Sequence, residues 1–572
     1  MVFGKPGGFA ANLQLSSLNG ANGFQISGEA EFARSGFSVA SAGDINGDGF
    51  ADLIIGSALY NGASYVVFGK AGGFASHLQL SNLDGTNGFK INGEASNDNS
   101  GFSVASAGDV NGDGFADLIV GAFNADPNSQ YSGASYVVFG KPGGFAANLQ
   151  LSSLNGANGF QISGEAQLDR SGHSVASAGD INGDGFDDVI IGAADADPNG
   201  YGSGASYVVF GKASGFSSNL DLSSLNGANG FQISGEAANA HSGRSVASAG
   251  DVNGDGFVDV IIGAQGTAYV VFGKASGFLS NFELSSLDGS NGFKIKAYDL
   301  SGRAVASAGD VNGDGFGDVI IGAFGAKPKG DYSGSTYVVF GRAPDRPVAR
   351  VGAAADQYVS GGAFADTLSS KRGRDVLEGR GGGDNLQGGS GNDTAIYRHA
   401  PRGVIASLAN PAINTGQAAG DRYTSIENLS GSQLADQLIG NDAANTLTGR
   451  HGKDQITGGL GPDLFRLIET TDSKPGLTRD VITDFDAGTA ITSVDRIGLG
   501  HIDANSNVGG NRAFRFIGTK AFSHVSGQVR VWRSGTTTIV SGDVNGDAVA
   551  DFEIGLLNFS NLGSLTARDF VL

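Results

Sequence analysis

The chain has no cysteine, one methionine, one tryptophan and only 11 prolines in 572 residues. Without cysteine there can be no disulfide framework, no thiolate nucleophile and no thiolate metal ligand. Charged residues make up 16% of the sequence, where about 25% is ordinary. No apolar run approaches the ~20 residues that cross a bilayer as a helix. The first residues, Met1-Val2-Phe3-Gly4-Lys5-Pro6, lack the apolar core of a cleaved secretory signal. Positive charge is scarce too: 36 Lys and Arg stand against 57 Asp and Glu, a net charge of −21. A field of that sign repels phosphate backbones and acidic membranes and suits multivalent cations. The seven histidines never fall within five residues of one another, so the His-Glu-x-x-His zinc motif is missing.

What is abundant is glycine, 97 residues or more than twice the usual share of about 7%, together with 36 phenylalanines. The glycines do not recur every third position, which excludes collagen. Hydrophobic residues at 40% are too many for a disordered chain. Many short strands joined by tight turns are implied, that is, an all-β protein.

A repeat organises the first part. Ala-Gly-Asp-(Ile/Val)-Asn-Gly-Asp-Gly-Phe occurs five times, its first Asp at Asp44, Asp109, Asp180, Asp251 and Asp310. The spacing of 59 to 71 residues suits a four-stranded unit, with strands expected in the first copy at 36–41, 52–56, 64–69 and 88–93. Radially repeated four-stranded sheets make a β-propeller. Five blades close if the strand expected at 23–28 completes the last one, which lacks its own fourth strand; a larger ring remains the alternative.

Residues 23–342 resemble the FG-GAP repeats of the integrin α-subunit propeller, with the signature surviving as Gly36-Phe37 and Gly121-Ala122-Phe123. The copies depart from it: the proline is absent, and Phe37 is matched by His173, Arg244 and Arg303.

Between the first and second strands each copy carries Asp-x-Asn-x-Asp-Gly-x-x-Asp. The sets are Asp44, Asn46, Asp48 and Asp52; Asp109, Asn111, Asp113 and Asp117; Asp180, Asn182, Asp184 and Asp188; Asp251, Asn253, Asp255 and Asp259; and Asp310, Asn312, Asp314 and Asp318. Alternate side chains in a tight loop converge, and glycine allows the turn. All-oxygen ligands point to a hard cation taking 6–8 of them, Ca²⁺ in preference to Mg²⁺ or Zn²⁺. A caged ion of this kind leaves little room for substrate, so a structural role is expected, with Asx-turns that merely cap strands as the plainer reading.

After an expected linker at 343–355 the period falls to nine. Asp366, Asp375, Asp384 and Asp393, then Asp436, Asn445, Asp454 and Asp463, recur at that interval, each followed two residues later by a mostly apolar side chain. This is the Gly-Gly-x-Gly-x-Asp nonapeptide of a Ca²⁺-binding parallel β-roll, expected over 356–467. The better-preserved copies make Asp384, Asp393, Asp454 and Asp463 the candidate ligands. These nonapeptides resemble the RTX repeats of bacterial secreted proteins. Residues 468–572 resemble a serralysin C-terminal domain, with Arg479-Asp480-Val481-Ile482-Thr483-Asp484-Phe485 and the terminal Asp569-Phe570-Val571-Leu572. That likeness implies uncleaved type I export, a type I secretion apparatus as partner, and a bacterial extracellular or cell-surface location.

The loops opposite the Asp-rich ones vary between copies and carry Tyr60, Phe123, Tyr131, Tyr201, Phe324 and Tyr332. Aromatic side chains on variable loops are candidate contacts for an extracellular protein or glycan. The reading that results is a non-catalytic, calcium-dependent adhesion or recognition protein. A relative or C-terminal part of a serralysin-like metalloprotease or other hydrolase, and a structural component of a matrix, stay open at this level.

Overall fold

Runs of Val, Ile and Phe between glycine-rich turns leave the chain little but short strands, and the computed structural model is built of them. It describes every residue except 5–10, 59–61, 214, 276, 297–300, 344–346, 353–355, 489–494, 507–511 and 560. No α-helix occurs among the described residues. The chain divides into two units, residues 1–252 with 257–341, and residues 342–572 with 253–256.

In the first unit each repeat folds as expected into antiparallel strands. The first copy uses Ser38–Gly43, Asp52–Ser57, Ala63–Val67 and Gly88–Asn92. The second strand of a repeat lies between two neighbours and two faces, so Asp117–Ala122, Asp188–Ala193 and Asp259–Ala264 are buried along their whole length. That burial is why these strands read as continuous apolar runs. Side chains from one repeat interlock with the next: Ala42, Ile54, Val66 and Phe89 pack with Val104, Leu118, Val120 and Tyr136.

One strand per repeat is not evident from the sequence. His77–Gln79, Asn148–Gln150, Asn219–Asp221 and Asn281–Glu283 leave their own repeat and pair in parallel with the fourth strand of the preceding one. Three residues are too few for an alternation to register. The sheets are therefore five-stranded where both contributors are present. A phenylalanine just ahead of each added strand stacks on the fourth strand's phenylalanine, at 4.2 Å for Phe24–Phe74, 4.3 Å for Phe89–Phe145 and 4.1 Å for Phe231–Phe278.

Closure of the last blade by the N-terminal strand is not what is found. Gln25–Ser27 pairs instead with His77–Gln79, and just ahead of it Phe24 N donates to Met1 O at 3.0 Å and Gly23 bridges Val2. The fifth repeat remains a three-stranded sheet of Ser301–Gly309, Asp318–Ala323 and Ser335–Val339.

In the second unit the nonapeptides wind as a coil with parallel strands. An eight-stranded sheet takes Tyr358–Ser360, Val376–Glu378, Thr394–Ile396, Asn428–Ser430, Thr446–Thr448, Leu464–Arg466, Arg496–Gly498 and Phe570–Val571 in turn. A four-stranded and a second eight-stranded sheet take the alternate strands. The apolar residue of each nonapeptide, Leu368, Leu377, Leu386, Leu438, Leu447, Ile456 and Phe465, fills the interior. The coil continues past residue 468, where Asp480–Ile482 pairs with Gln455–Thr457 and Arg496–Gly498 with Leu464–Arg466. Its second eight-stranded sheet runs on into the antiparallel strands Gln528–Ser534, Thr537–Asp543 and Phe552–Leu556.

The terminal tetrapeptide is part of this core. Asp569 is buried in a capping box with Thr566, and Phe570 is buried and pairs with Ile497. Asp569, Phe570, Val571 and Leu572, the residues expected to form an export signal, thus pack as part of the coil.

Candidate metal centres

The five Asp-rich loops share one geometry. In the first, both oxygens of Asp44 accept backbone N–H groups, Oδ1 from Gly47 at 2.8 Å and Oδ2 from Gly49 at 2.8 Å. Asn46 Nδ2 donates to Asp48 Oδ2 at 3.0 Å, and Phe50 N donates to Asp48 Oδ1 at 2.9 Å. Asp109, Asn111 and Asp113, Asp180, Asn182 and Asp184, and Asp310, Asn312 and Asp314 repeat this pattern. Asn253 and Asp255 make the same amide-to-carboxylate contact at 3.0 Å, and Asp251 follows the strand Ser245–Gly250 as Asp44 follows its own.

The fourth residue of each set stands apart from these three. Asp52 is buried and clamps the loop to the third strand, accepting from Ile45 N at 3.0 Å and Gly69 N at 2.7 Å. Asp117, Asp188, Asp259 and Asp318 accept the same two N–H groups in their repeats. Burial pushes Asp52 up to about 6 and Asp117 up to about 8, the backbone donors opposing the shift. The loops also join repeats: the carbonyls of Asp44 and Ile45 accept from Ala116 N at 3.2 Å and Lys141 N at 3.0 Å.

A sixth loop of this design lies in the second unit. Asp543 accepts from Gly546 N at 2.6 Å and Ala548 N at 3.0 Å, while Asp551 accepts from Val544 N at 2.7 Å. Ala548 stands where the other loops have glycine and takes φ +67°. The Asp-x-Asn-x-Asp spacing signals this loop in the sequence, and the alanine obscures it.

The roll carries a different arrangement. Its acidic residues stack one coil apart, each accepting a backbone N–H from the coil before. Asp366 N donates to Asp384 Oδ1 at 2.8 Å, Asp375 N to Asp393 Oδ1 at 2.9 Å, Asp436 N to Asp454 Oδ1 at 2.8 Å and Asn445 N to Asp463 Oδ1 at 2.8 Å. The other oxygen, Oδ2, of Asp384, Asp393, Asp454 and Asp463 is buried without a hydrogen-bond partner among the described residues, and so is that of Asp375. Burial, the largest cause, raises Asp384 to about 8, Asp454 to about 9 and Asp393 and Asp463 to about 6. The glycine five residues ahead of each makes the room: a Cβ on Gly379, Gly388, Gly449 or Gly458 would strike the carboxylate of Asp384, Asp393, Asp454 or Asp463. In the degraded copies the free oxygen is used internally, Asp366 Oδ2 accepting from Gly362 N at 2.6 Å and Asp436 Oδ2 from Ser432 N at 2.5 Å.

A buried carboxylate oxygen with no donor carries a large desolvation cost that a bound cation offsets. Both kinds of site offer oxygen alone, which fits Ca²⁺.

Of the aromatic side chains on the variable loops, Tyr201, Phe324 and Tyr332 are exposed. Phe123 and Tyr131 are half-buried, Phe123 packed edge-on to Phe102 and Tyr131 under Arg170. Tyr60 lies outside the described residues. His173 rests on Phe102 and Phe123. Among the described residues one His/Asp/Glu group is close enough to share an ion, His451, Glu469 and Asp472. Glu469 is exposed and Asp472 Oδ2 is held by Ile468 N, so the group makes no catalytic constellation. No helix of the described residues is long and apolar enough to cross a membrane.

The family model for the FG-GAP repeat matches residues 35–67, 100–138, 171–209, 242–271 and 301–339. That for the RTX calcium-binding nonapeptide repeat matches 360–395 and 430–465. Among curated proteins the chain is similar to integrin alpha pat-2 of Caenorhabditis elegans, 33% identical over 267 residues, 42% of this chain and 18% of the relative. It is similar to integrin alpha-V of Gallus gallus, 31% identical over 266 residues, 44% of this chain and 22% of the relative. The chain thus spans about a fifth of the length of these relatives. Their being animal integrin α chains overturns the expected serralysin relationship. The bacterial type I export, its secretion apparatus as partner and the location inferred from it fall with that relationship. What the comparisons leave standing is a chain that pairs integrin-like FG-GAP repeats with an RTX calcium-binding module.

Proposed function

We propose that this is a calcium-stabilised, non-catalytic adhesion or recognition protein in which the FG-GAP unit, read as a propeller, presents an extracellular protein or glycan with its variable loops. The observation that carries the calcium half is the set of buried, donorless Oδ2 atoms of Asp384, Asp393, Asp454 and Asp463. In the FG-GAP unit, Asp44, Asn46, Asp48 and Asp52 and their counterparts would hold one ion per loop. The ion would supply charge neutralisation there and no chemistry. Asp52-type residues keep the loop bound to its blade, while the loop carbonyls hold the next repeat, so an ion in the loop stiffens the stack of repeats. In this reading residues 1–342 form the recognition unit, 343–355 the linker, and 356–467 with 468–572 the calcium roll.

Ligand binding rests on the exposed Tyr201, Phe324 and Tyr332 and on the likeness to integrin α chains. The test is a Ca²⁺ titration of the full chain from a chelated start, followed by circular dichroism and limited proteolysis, with Asp384→Asn/Asp454→Asn beside it. Protease resistance that rises with Ca²⁺, and at higher Ca²⁺ in the variant, supports the reading. A chain equally resistant in chelator overturns it. For recognition, Tyr201→Ser/Tyr332→Ser should lose binding on an array of matrix proteins and glycans while keeping its Ca²⁺ response.

A further inference from the structure

Consecutive repeats meet through one interface that is made four times in the chain. The glycine near the end of each second strand, Gly56, Gly121, Gly192 and Gly263, lies so close to the next repeat that an added Cβ would strike the carbonyl of Gly101, Gly172, Gly243 or Gly302. The valine of the next repeat's first strand, Val104, Val175, Val246 or Val305, is then 4–8% exposed. In the middle of the stack the contact is reinforced by backbone pairing. Gly133 bridges Ser171 and Gly204 bridges Ser242, with Ser171 N donating to Ser132 O at 3.0 Å.

Each half of this interface also occurs once without its partner. At the first repeat the receiving strand is bare: Val39 is 67% exposed, Phe37 is exposed, and a Cβ on Gly36 meets nothing within 4 Å among the described residues. At the fifth repeat the giving face is bare: Val338 is 42% and Phe340 54% exposed, where their counterparts Val66 and Phe68 are buried. Gly322, the counterpart of Gly263, has only Ala304 of its own repeat near an added Cβ, the methyl at 3.5 Å and the carbonyl oxygen at 3.6 Å. It floors an open depression of about 440 Å³ walled by Arg303, Phe324, Ser333, Gly334 and Thr336. Ser333 and Gly334 correspond to Ser132 and Gly133, the pair that holds Ser171.

We propose that a second copy of this chain docks here, head to tail, the Ser35-Gly36-Phe37 segment and Val39 of one copy seating on the Gly322 depression and the Val338–Phe340 face of the other. The argument is continuity: the molecule itself shows four times which surface covers which, and the two uncovered surfaces are the matching pair. One term is missing. Ser38, Ser103, Ser174 and Ser245 each accept the N–H of the next repeat's valine at 3.1–3.2 Å, and Ala304 has no hydroxyl to do so. The docked contact is therefore weaker than the internal ones and concentration-dependent. Being heterologous, it extends to chains or rings unless one face is blocked.

The test is sedimentation of the full chain in calcium buffer. The wild type should gain mass with concentration. Gly322→Ala, whose methyl fits the isolated chain but would meet the incoming Gly36 segment, should be monomeric. Val39→Lys, altered on the opposite face, should also be monomeric. An equimolar mixture of the two should give a dimer and nothing larger, since each retains one working face. Should Gly322→Ala fail to fold, Val338→Lys blocks the same face. A wild type that stays monomeric at every concentration overturns the proposal, including the case in which Val39 is protected because the chain's own first repeat covers its last. Assembly persisting in either single variant, or no dimer in the mixture, overturns it as well.

Discussion

Glycine placement ahead of the roll's aspartates is the most local determinant of the candidate calcium sites. Gly379 and Gly449 stand where a methyl would displace the carboxylates of Asp384 and Asp454. Gly449→Ala should therefore cost on the order of 1–3 kcal/mol through overpacking and shift the Ca²⁺ midpoint upward, read by thermal melts across a calcium series. A second residue-scale case is Glu378, buried beneath Tyr358 and His399, with His399 Nδ1 at 2.8 Å. Burial alone would raise its carboxyl, but the hydrogen bonds from His399 and Tyr358 outweigh it and hold the group below its ordinary 4.5. A depressed carboxylate contributes stability above its unfolded value and loses it as pH falls through the folded one. Glu378→Gln should thus cost about 1–3 kcal/mol near neutrality. The gap to the wild type should narrow as the pH drops below the ordinary carboxylate range; a gap that widens there would contradict the assignment.

At the scale of elements, the parallel strand lent by each repeat to its predecessor, with its stacked phenylalanine, ties the first unit together. Phe89 is buried between Phe68 and the stacked ring of Phe145, over which Lys141 lies at 4.9 Å. Phe293 occupies the same place in the fourth repeat but is half-buried, with Phe272 as its only ring neighbour among the described residues. Phe89→Ala should cost about 3–5 kcal/mol and Phe293→Ala clearly less, by denaturant melts of the two variants. Equal costs would show that the lent strand and its ring add little. The contrast is invisible in sequence, where both residues sit in the same Gly-Phe-Lys-Ile run.

For the whole molecule, residues 570–572 are packed into the roll. Phe570 closes the eight-stranded sheet against Ile497, and Phe516 packs on its ring at 4.9 Å. Deleting Phe570–Leu572 should lower the melting temperature of the second unit and raise the Ca²⁺ it needs, while leaving the FG-GAP unit's proteolytic pattern unchanged. A truncated chain with an unaltered melt would show that those residues add nothing to the stability of the roll. On the proposed reading calcium would act at this scale too, since an ion that binds only the folded state adds about 2.7 kcal/mol per site at a hundredfold excess over Kd.

The repeats, the loops and the nonapeptides were legible from sequence because each is local: a buried strand is a short apolar run, and a metal loop is a fixed spacing of oxygen-bearing side chains. Asp384, Asp393, Asp454 and Asp463 could be named from the better-preserved nonapeptides, in which a glycine stands five residues ahead of the aspartate it accommodates, a spacing that Gly361–Asp366 and Gly431–Asp436 share. Tertiary structure decided what depends on partners far along the chain. It took Gln25–Ser27 from the last blade, because that strand pairs with His77–Gln79. It made Asp569-Phe570-Val571-Leu572 a packed element, because Phe570 is buried and pairs with Ile497, far back along the chain. It also separated Asp366 and Asp436 from the other nonapeptide aspartates, because only packing determines which carboxylate oxygen finds an N–H and which is left for an ion.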